Sequence, residues 1–169
     1  MLDIATVNAL SIDDFVARFG DVAEHSPWVA EAAARARPFA TREAMIEAFA
    51  AVVAAVSREA RLALIRVHPD LAGKAARAGT MAEDSKREQA GVGLDTLSEA
   101  EFARFTDLNT RYRDKFGFPF IFAVKGATKA MILDAFEARL PNDVETEFAT
   151  ALAQVVRIFR FRLEDRISS

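Results

Sequence analysis

Cysteine is absent from this 169-residue chain, so disulfides, thiolate nucleophiles and zinc–sulfur centres are excluded at the outset. Histidine occurs twice, as His25 and His68, and no His-x-x-His or His-x-x-x-His spacing exists, which leaves little basis for a transition-metal site. No apolar run approaches the roughly 20 residues of a membrane span, and the first residues lack the basic-then-apolar order of a signal peptide. Basic clusters are also missing. The formal net charge is −3, Lys and Arg are dispersed, and one Trp and one Tyr offer little for base stacking, so nucleic acid and membrane are not expected partners. The ending Ile167-Ser168-Ser169 is not a peroxisomal address, and a cytoplasmic location is expected.

Apolar residues make up 51% of the chain, 14 of them Phe, which is ample material for a core in one domain over 1–169. Ala, Leu, Glu and Arg dominate, and the patterning predicts an all-α fold of about seven helices. Ser11 caps a first helix closed by Gly20. A second is expected from Asp21 towards Arg35, kinked or broken at Pro27. Thr41 opens a stretch from Arg42 to Ile65, with a break near Ser57, and Pro69 ends it. The segment 70–80, with Gly73 and Gly79, reads as a loop. Met81–Ala90 reads as a short helix. Ser98-Glu99-Ala100-Glu101 is a capping box opening a helix to Lys115. Residues 117–126 are apolar, β-prone and bounded by glycines, with no partner strand. Thr128 caps a helix to Leu140, and Asn142-Asp143-Val144-Glu145 reads as a second capping box for a helix to Ile167.

Four places depart from this pattern. His68 lies at a helix C-terminus, where the dipole favours an imidazolium, and histidine titrates closest to physiological pH. It suits a general acid or base, or simply a cap for the last carbonyls. In Ser85-Lys86-Arg87-Glu88-Gln89, Ser85, Glu88 and Gln89 share one helix face; Ser-x-x-Glu is equally a capping box. Phe118–Val124 carries backbone amides and carbonyls that need partners, supplied by an amide-rich heterocycle or by neighbouring helix ends. Arg162 projects, at about 100° per residue, into the apolar sector of Leu152, Val155, Val156, Ile158, Phe159 and Leu163. A buried arginine must be paired internally or face an anionic ligand. Arg166 shares that sector near the chain end and is expected in solvent, while Phe161 points to the polar side, where an exposed aromatic suits a partner surface.

Taken in order, the stretches His68-Pro69-Asp70-Leu71-Ala72-Gly73-Lys74, Glu88-Gln89-Ala90-Gly91-Val92-Gly93-Leu94-Asp95, Phe116-Gly117-Phe118-Pro119-Phe120-Ile121-Phe122-Ala123-Val124 and Arg162-Leu163 resemble the 2-oxo-4-hydroxy-4-carboxy-5-ureidoimidazoline (OHCU) decarboxylases. His25-Ser26-Pro27-Trp28 also looks like that family's early segment, with His25 structural. The resemblance implies an all-helical homodimer that decarboxylates OHCU to (S)-allantoin, the last step from urate to allantoin, without cofactor or metal. It implies His68 as general acid/base, with Glu88 orienting and polarising it. Around the small anionic substrate it implies Pro69, Ser85, Lys86, Arg87, Glu88, Gln89, the backbone of Phe120, Ile121, Phe122, Ala123 and Val124, and Arg162. Two other readings remain open: a metal-assisted ureide hydrolase using His68, Asp70 and Glu88, and a non-catalytic module binding a partner through Phe161.

Overall fold

The computed structural model describes residues Met1–Ser169 and is all-helical. Its ten helices are α1 (Ile4–Ala9), α2 (Ile12–Phe19), α3 (Trp28–Ala34), α4 (Arg42–Ala55), α5 (Arg58–Arg66), α6 (Lys74–Ala78), α7 (Glu83–Gly91), α8 (Glu99–Phe116), α9 (Lys129–Arg139) and α10 (Val144–Arg166). The β-pairing amounts to an isolated bridge between Leu2 and Ile167. No helix is long and apolar enough to cross a membrane.

The three helices beyond the expected number have local causes. Asp3 accepts the Thr6 N–H at 2.7 Å and caps α1, a helix outside the expected set. The break expected near Ser57 is complete: Val56 is extended, and Ser57 caps the next helix through the Ala60 N–H at 3.1 Å. The expected loop 70–80 contains α6. Lys74-Ala75-Ala76-Arg77-Ala78 are strong helix formers, and Gly79, at φ 67°, closes the turn in the left-handed region.

Two further boundaries differ from expectation. The helix foreseen from Asp21 starts only at Trp28, because Pro27 takes its N-cap position and the chain before it turns through His25 at φ 45°. At α10 the cap is Asp143, which accepts the Thr146 N–H at 2.8 Å. The Asn142–Glu145 box does not form; Asn142 instead donates to the buried Glu147 at 2.9 Å. Ser98 and Glu101 form their box as expected.

The chain divides into two compact units, Met1–Leu64 with Val155–Ser169, and Ile65–Gln154. The boundaries run inside α5 and α10, so no linker composition marks them. The first unit is centred on Phe15, Phe19, Phe49 and Phe159, with Phe15 and Phe19 centroids 4.9 Å apart and Phe49 and Phe159 at 6.2 Å. The second is centred on Tyr112, Phe105, Phe118, Phe120 and Phe136; Phe120 and Phe136 stack at 3.7 Å. Each enclosed ring contributes roughly 1.5–3 kcal/mol through the water it leaves.

Candidate active site

In the Ile65–Gln154 unit, α5 ends in a turn whose last hydrogen bond runs from the His68 N–H to the Ile65 carbonyl, 3.2 Å. Pro69 allows no further helical bond. The imidazole is enclosed, with His68 5% exposed. The following residues are fixed by side chains from two other helices. Arg113 of α8 donates to the Asp70 carboxylate at 2.8 Å, and Asn109, one turn earlier, donates to the Leu71 carbonyl at 2.8 Å. Gln89 of α7 accepts the Ala72 N–H at 2.9 Å and donates to the Asp70 carbonyl at 3.3 Å.

This turn is strained as well as held. Ala72 adopts φ 54°, a conformation an alanine takes only when its surroundings impose it. A Cβ on Gly73 would stand 2.9 Å from Asp70 Cβ, so the turn closes this tightly only with glycine. A cleft of about 460 Å³ beside it is lined by Pro69, Asp70, Gly73, Lys74, Asn109 and Arg113, among others.

Ser85 and Gln89 are buried on one face of α7, Glu88 is partly exposed, and Lys86 and Arg87 are exposed. Arg87 reaches back to pair with Asp84. Because α7 already starts at Glu83, Ser85 is interior to it, and the alternative of a Ser85–Glu88 capping box does not hold. Both ends of the Gln89 carboxamide meet backbone of the His68 turn, so the structure ties α7 to that turn through this residue.

The segment Phe118–Val124 is neither helix nor paired strand, as expected, and finds protein partners on one side. Arg139 Nη1 donates to the Ile121 carbonyl at 2.7 Å, and Gln154 Oε1 accepts the Ala123 N–H at 2.9 Å. Phe120, Ile121, Ala123 and Val124 are buried, Phe122 partly so. Behind Ile121 lies a polar cluster. Arg139 Nε stands 2.9 Å from Glu147 Oε2, Tyr112 donates its hydroxyl to the same oxygen, and Glu147 is fully enclosed. Burial first, and then the Glu147 hydrogen bond, holds the Tyr112 phenol well above the ordinary tyrosine range.

Arg162, in the other unit, is 4% exposed, as its helical projection predicts. Its Nη1 lies 3.1 Å from Glu24 Oε2 and 3.3 Å from the Val22 carbonyl, so the internal-pair alternative is realised in this unit. Arg166, expected in solvent, pairs with Asp21 and is partly buried. Phe161 is half-buried rather than exposed, with the Arg157 guanidinium 5.4 Å above its ring. His25 is an exposed turn residue.

No cluster of three or more His, Asp or Glu side chains is arranged to hold a metal ion. Asp70, the second ligand of the hydrolase reading, is committed to Arg113. Asn109, Arg113, Arg139, Glu147 and Glu24 lie outside the residues expected from the sequence. For two of them a signal existed: Asn109 shares the α8 stripe of Phe105, Leu108 and Tyr112, and Glu147 that of Ala151 and Val155, the same intrusion that marked Arg162.

The profile described as OHCU decarboxylase matches residues 8–164. The chain belongs to the OHCU decarboxylase family. It is 43% identical over 168 residues to the 2-oxo-4-hydroxy-4-carboxy-5-ureidoimidazoline decarboxylase of Haloferax volcanii, covering 99% of this chain and 98% of that protein. It is 42% identical over 168 residues to the uric acid degradation bifunctional protein of Bacillus subtilis, covering 99% of this chain and 33% of that protein. Among solved structures, an (S)-allantoin synthase superposes with a TM-score of 0.81 at 31% identity, covering all of this chain and 55% of that one. The family match spans both the His68 turn and the Phe118–Val124 segment, the two features that depart from regular helix.

Proposed function

We propose that this OHCU decarboxylase family member removes CO₂ from 2-oxo-4-hydroxy-4-carboxy-5-ureidoimidazoline to give (S)-allantoin, with His68 as its general acid/base and no cofactor. The observation that carries the reading is an enclosed histidine at a helix end, held on a strained turn by Gln89, Asn109 and Arg113, in a chain whose family is established over 8–164. Such fastening fixes the backbone turn that follows His68 before substrate arrives, and a preset position is what general acid–base catalysis requires.

The substrate supplies its own electron sink. Its carboxylate is on a ring carbon that also bears a hydroxyl and adjoins a ring C=N. When the carbon–carboxylate bond breaks, CO₂ leaves, the electron pair forms a C=C to the ureido-bearing carbon, and the former C=N nitrogen takes a proton from solvent. The hydroxyl then gives up its proton as that carbon becomes a carbonyl, and the ureido-bearing carbon takes a proton from one face. His68 is the group proposed to receive and return these protons, with Glu88 orienting the imidazole. Ser85, Lys86, Arg87, Glu88, Gln89, Pro69 and the main chain of Phe120–Val124 are the proposed substrate contacts. For Arg162 the proposed role in substrate binding rests on the resemblance alone. A homodimer in the cytoplasm is the proposed form of the protein.

The test generates OHCU from urate in place, adds the protein with excess EDTA, and follows optical rotation. Faster appearance of dextrorotatory (S)-allantoin, unaffected by the chelator, is expected. Unaccelerated racemic product would overturn the decarboxylase reading, and loss of rate with EDTA would favour a metal-assisted reaction.

A further inference from the structure

The Phe118–Val124 segment is fastened along one edge by two side chains outside the expected site. Arg139 occupies the Ile121 carbonyl at 2.7 Å and Gln154 the Ala123 N–H at 2.9 Å. The rings of Phe120 and Phe122 stack 6.2 Å apart with planes only 7° from parallel, the relation of i and i+2 side chains on one face of an extended chain. In such a chain the N–H and C=O of one residue point to one edge and those of the next residue to the other. Ile121 and Ala123 therefore turn their peptide groups towards Arg139 and Gln154, and Phe122 turns its own to the opposite edge. Of residues 120–124, Phe122 is also the one that is only partly buried.

We infer that Arg139 and Gln154 are positioning residues for substrate recognition: by engaging Ile121 and Ala123 they present the N–H and carbonyl of Phe122 to the ligand. This rests on the proposed reading that the Phe120–Val124 main chain meets the ureidoimidazoline. A peptide N–H beside a peptide C=O matches the adjoining donors and acceptors of a cyclic amide or a ureido group. The arginine is itself held rigidly. Glu147 accepts its Nε at 2.9 Å and is in turn bound by Asn142 at 2.9 Å and by Tyr112, while the Phe120 ring lies 4.3 Å below the guanidinium. Its fork therefore reaches Ile121 from a preset direction, and the enclosed ion pair has a use beyond cohesion.

Gln154→Met tests this without disturbing the enclosed pair, since it keeps the length of the side chain and removes the acceptor. Arg139→Lys keeps the charge opposite Glu147 but loses the fork. Steady-state rates on OHCU made from urate, calorimetric affinity for (S)-allantoin, melting temperature and amide exchange at Ala123 are compared with wild type. Gln154→Met should speed exchange at Ala123, raise KM and weaken allantoin binding about fivefold, the size of one hydrogen bond, with kcat within about twofold. Arg139→Lys should shift KM in the same direction. Unmoved KM and allantoin affinity, or a lower melting temperature with KM unchanged, would reduce both residues to structural ones and overturn the inference. A fall in kcat at constant KM would do the same. Failure of the wild-type protein to convert OHCU removes the proposed function instead, and the allantoin affinities still decide the positioning role without turnover.

Discussion

Arg162 Nη1 stands 3.1 Å from Glu24 Oε2, and the two side chains are 3% and 1% exposed. A pair this enclosed is costly to assemble and more costly to break, because removing one charge leaves the other in a low-dielectric interior. Arg162→Met should therefore lower stability by about 3–5 kcal/mol in denaturant unfolding, and combining it with Glu24→Gln should recover much of the loss. A loss of only about 0–1 kcal/mol, the value of a surface pair, would contradict the finding. Any activity lost in the single variant has to be compared with its folded fraction before a substrate contact is assigned.

Gln89 is open to a similar separation. Gln89→Leu leaves the Ala72 N–H without its acceptor in a buried turn, and a loss of about 1–3 kcal/mol is expected, accompanied by slower turnover as His68 loses its fixed position. Gln89→Glu retains the acceptor for the Ala72 N–H but loses the donor to the Asp70 carbonyl and buries a charge, so it should not restore the wild-type stability. If Gln89→Leu changes KM while its unfolding midpoint stays at the wild-type value, Gln89 serves the substrate and not the turn.

His68→Asn preserves a polar side chain near the same volume and should leave the circular dichroism spectrum and melting curve close to wild type. Turnover of OHCU should fall about 10²–10⁴-fold, the usual worth of a general acid/base. Retention of more than about a tenth of the rate would exclude that role.

One acid-sensitive contribution lies at the start of α8. The Ser98 N–H, and after it the Lys129 ammonium, hold the Glu101 carboxyl below its ordinary value of 4.5. A lowered folded-state value means that this group stabilises the fold fully above pH 4.5 and loses its effect as pH falls through the folded value. Glu101→Gln should thus be less stable than wild type at neutral pH, with the difference shrinking below pH 4.5. A difference that stays constant on acidification would show that the carboxylate's charge plays no part.

The helix starts that side chains specify were legible in the residues themselves. Ser11, Thr41, Ser98 and Thr128 all cap the helices they were expected to cap, since an N-cap bond spans only three residues. The departures were local too, but weakly signalled. Asp3 caps a helix of only six residues, too short for a clear periodic pattern, and glycines at 73 and 79 suggest a loop where they bound a five-residue helix. Arg162 faces inwards as its helical position predicts, because one helix's periodicity suffices to show an intruding charge.

What periodicity could not show was the partner. Glu24 lies 138 residues from Arg162, Asn109 lies 38 from Leu71, and Gln154 lies 31 from Ala123. Composition, the absence of thiols, the caps and the inward faces are properties of short stretches, and they follow from propensity and hydrophobic spacing alone. Whether an inward arginine meets a carboxylate, or an unpaired apolar segment finds donors and acceptors, depends on chain segments brought together only by packing. A side chain's role at this site is set by where its hydrogen-bonding capacity is spent, and that was decided by tertiary contacts.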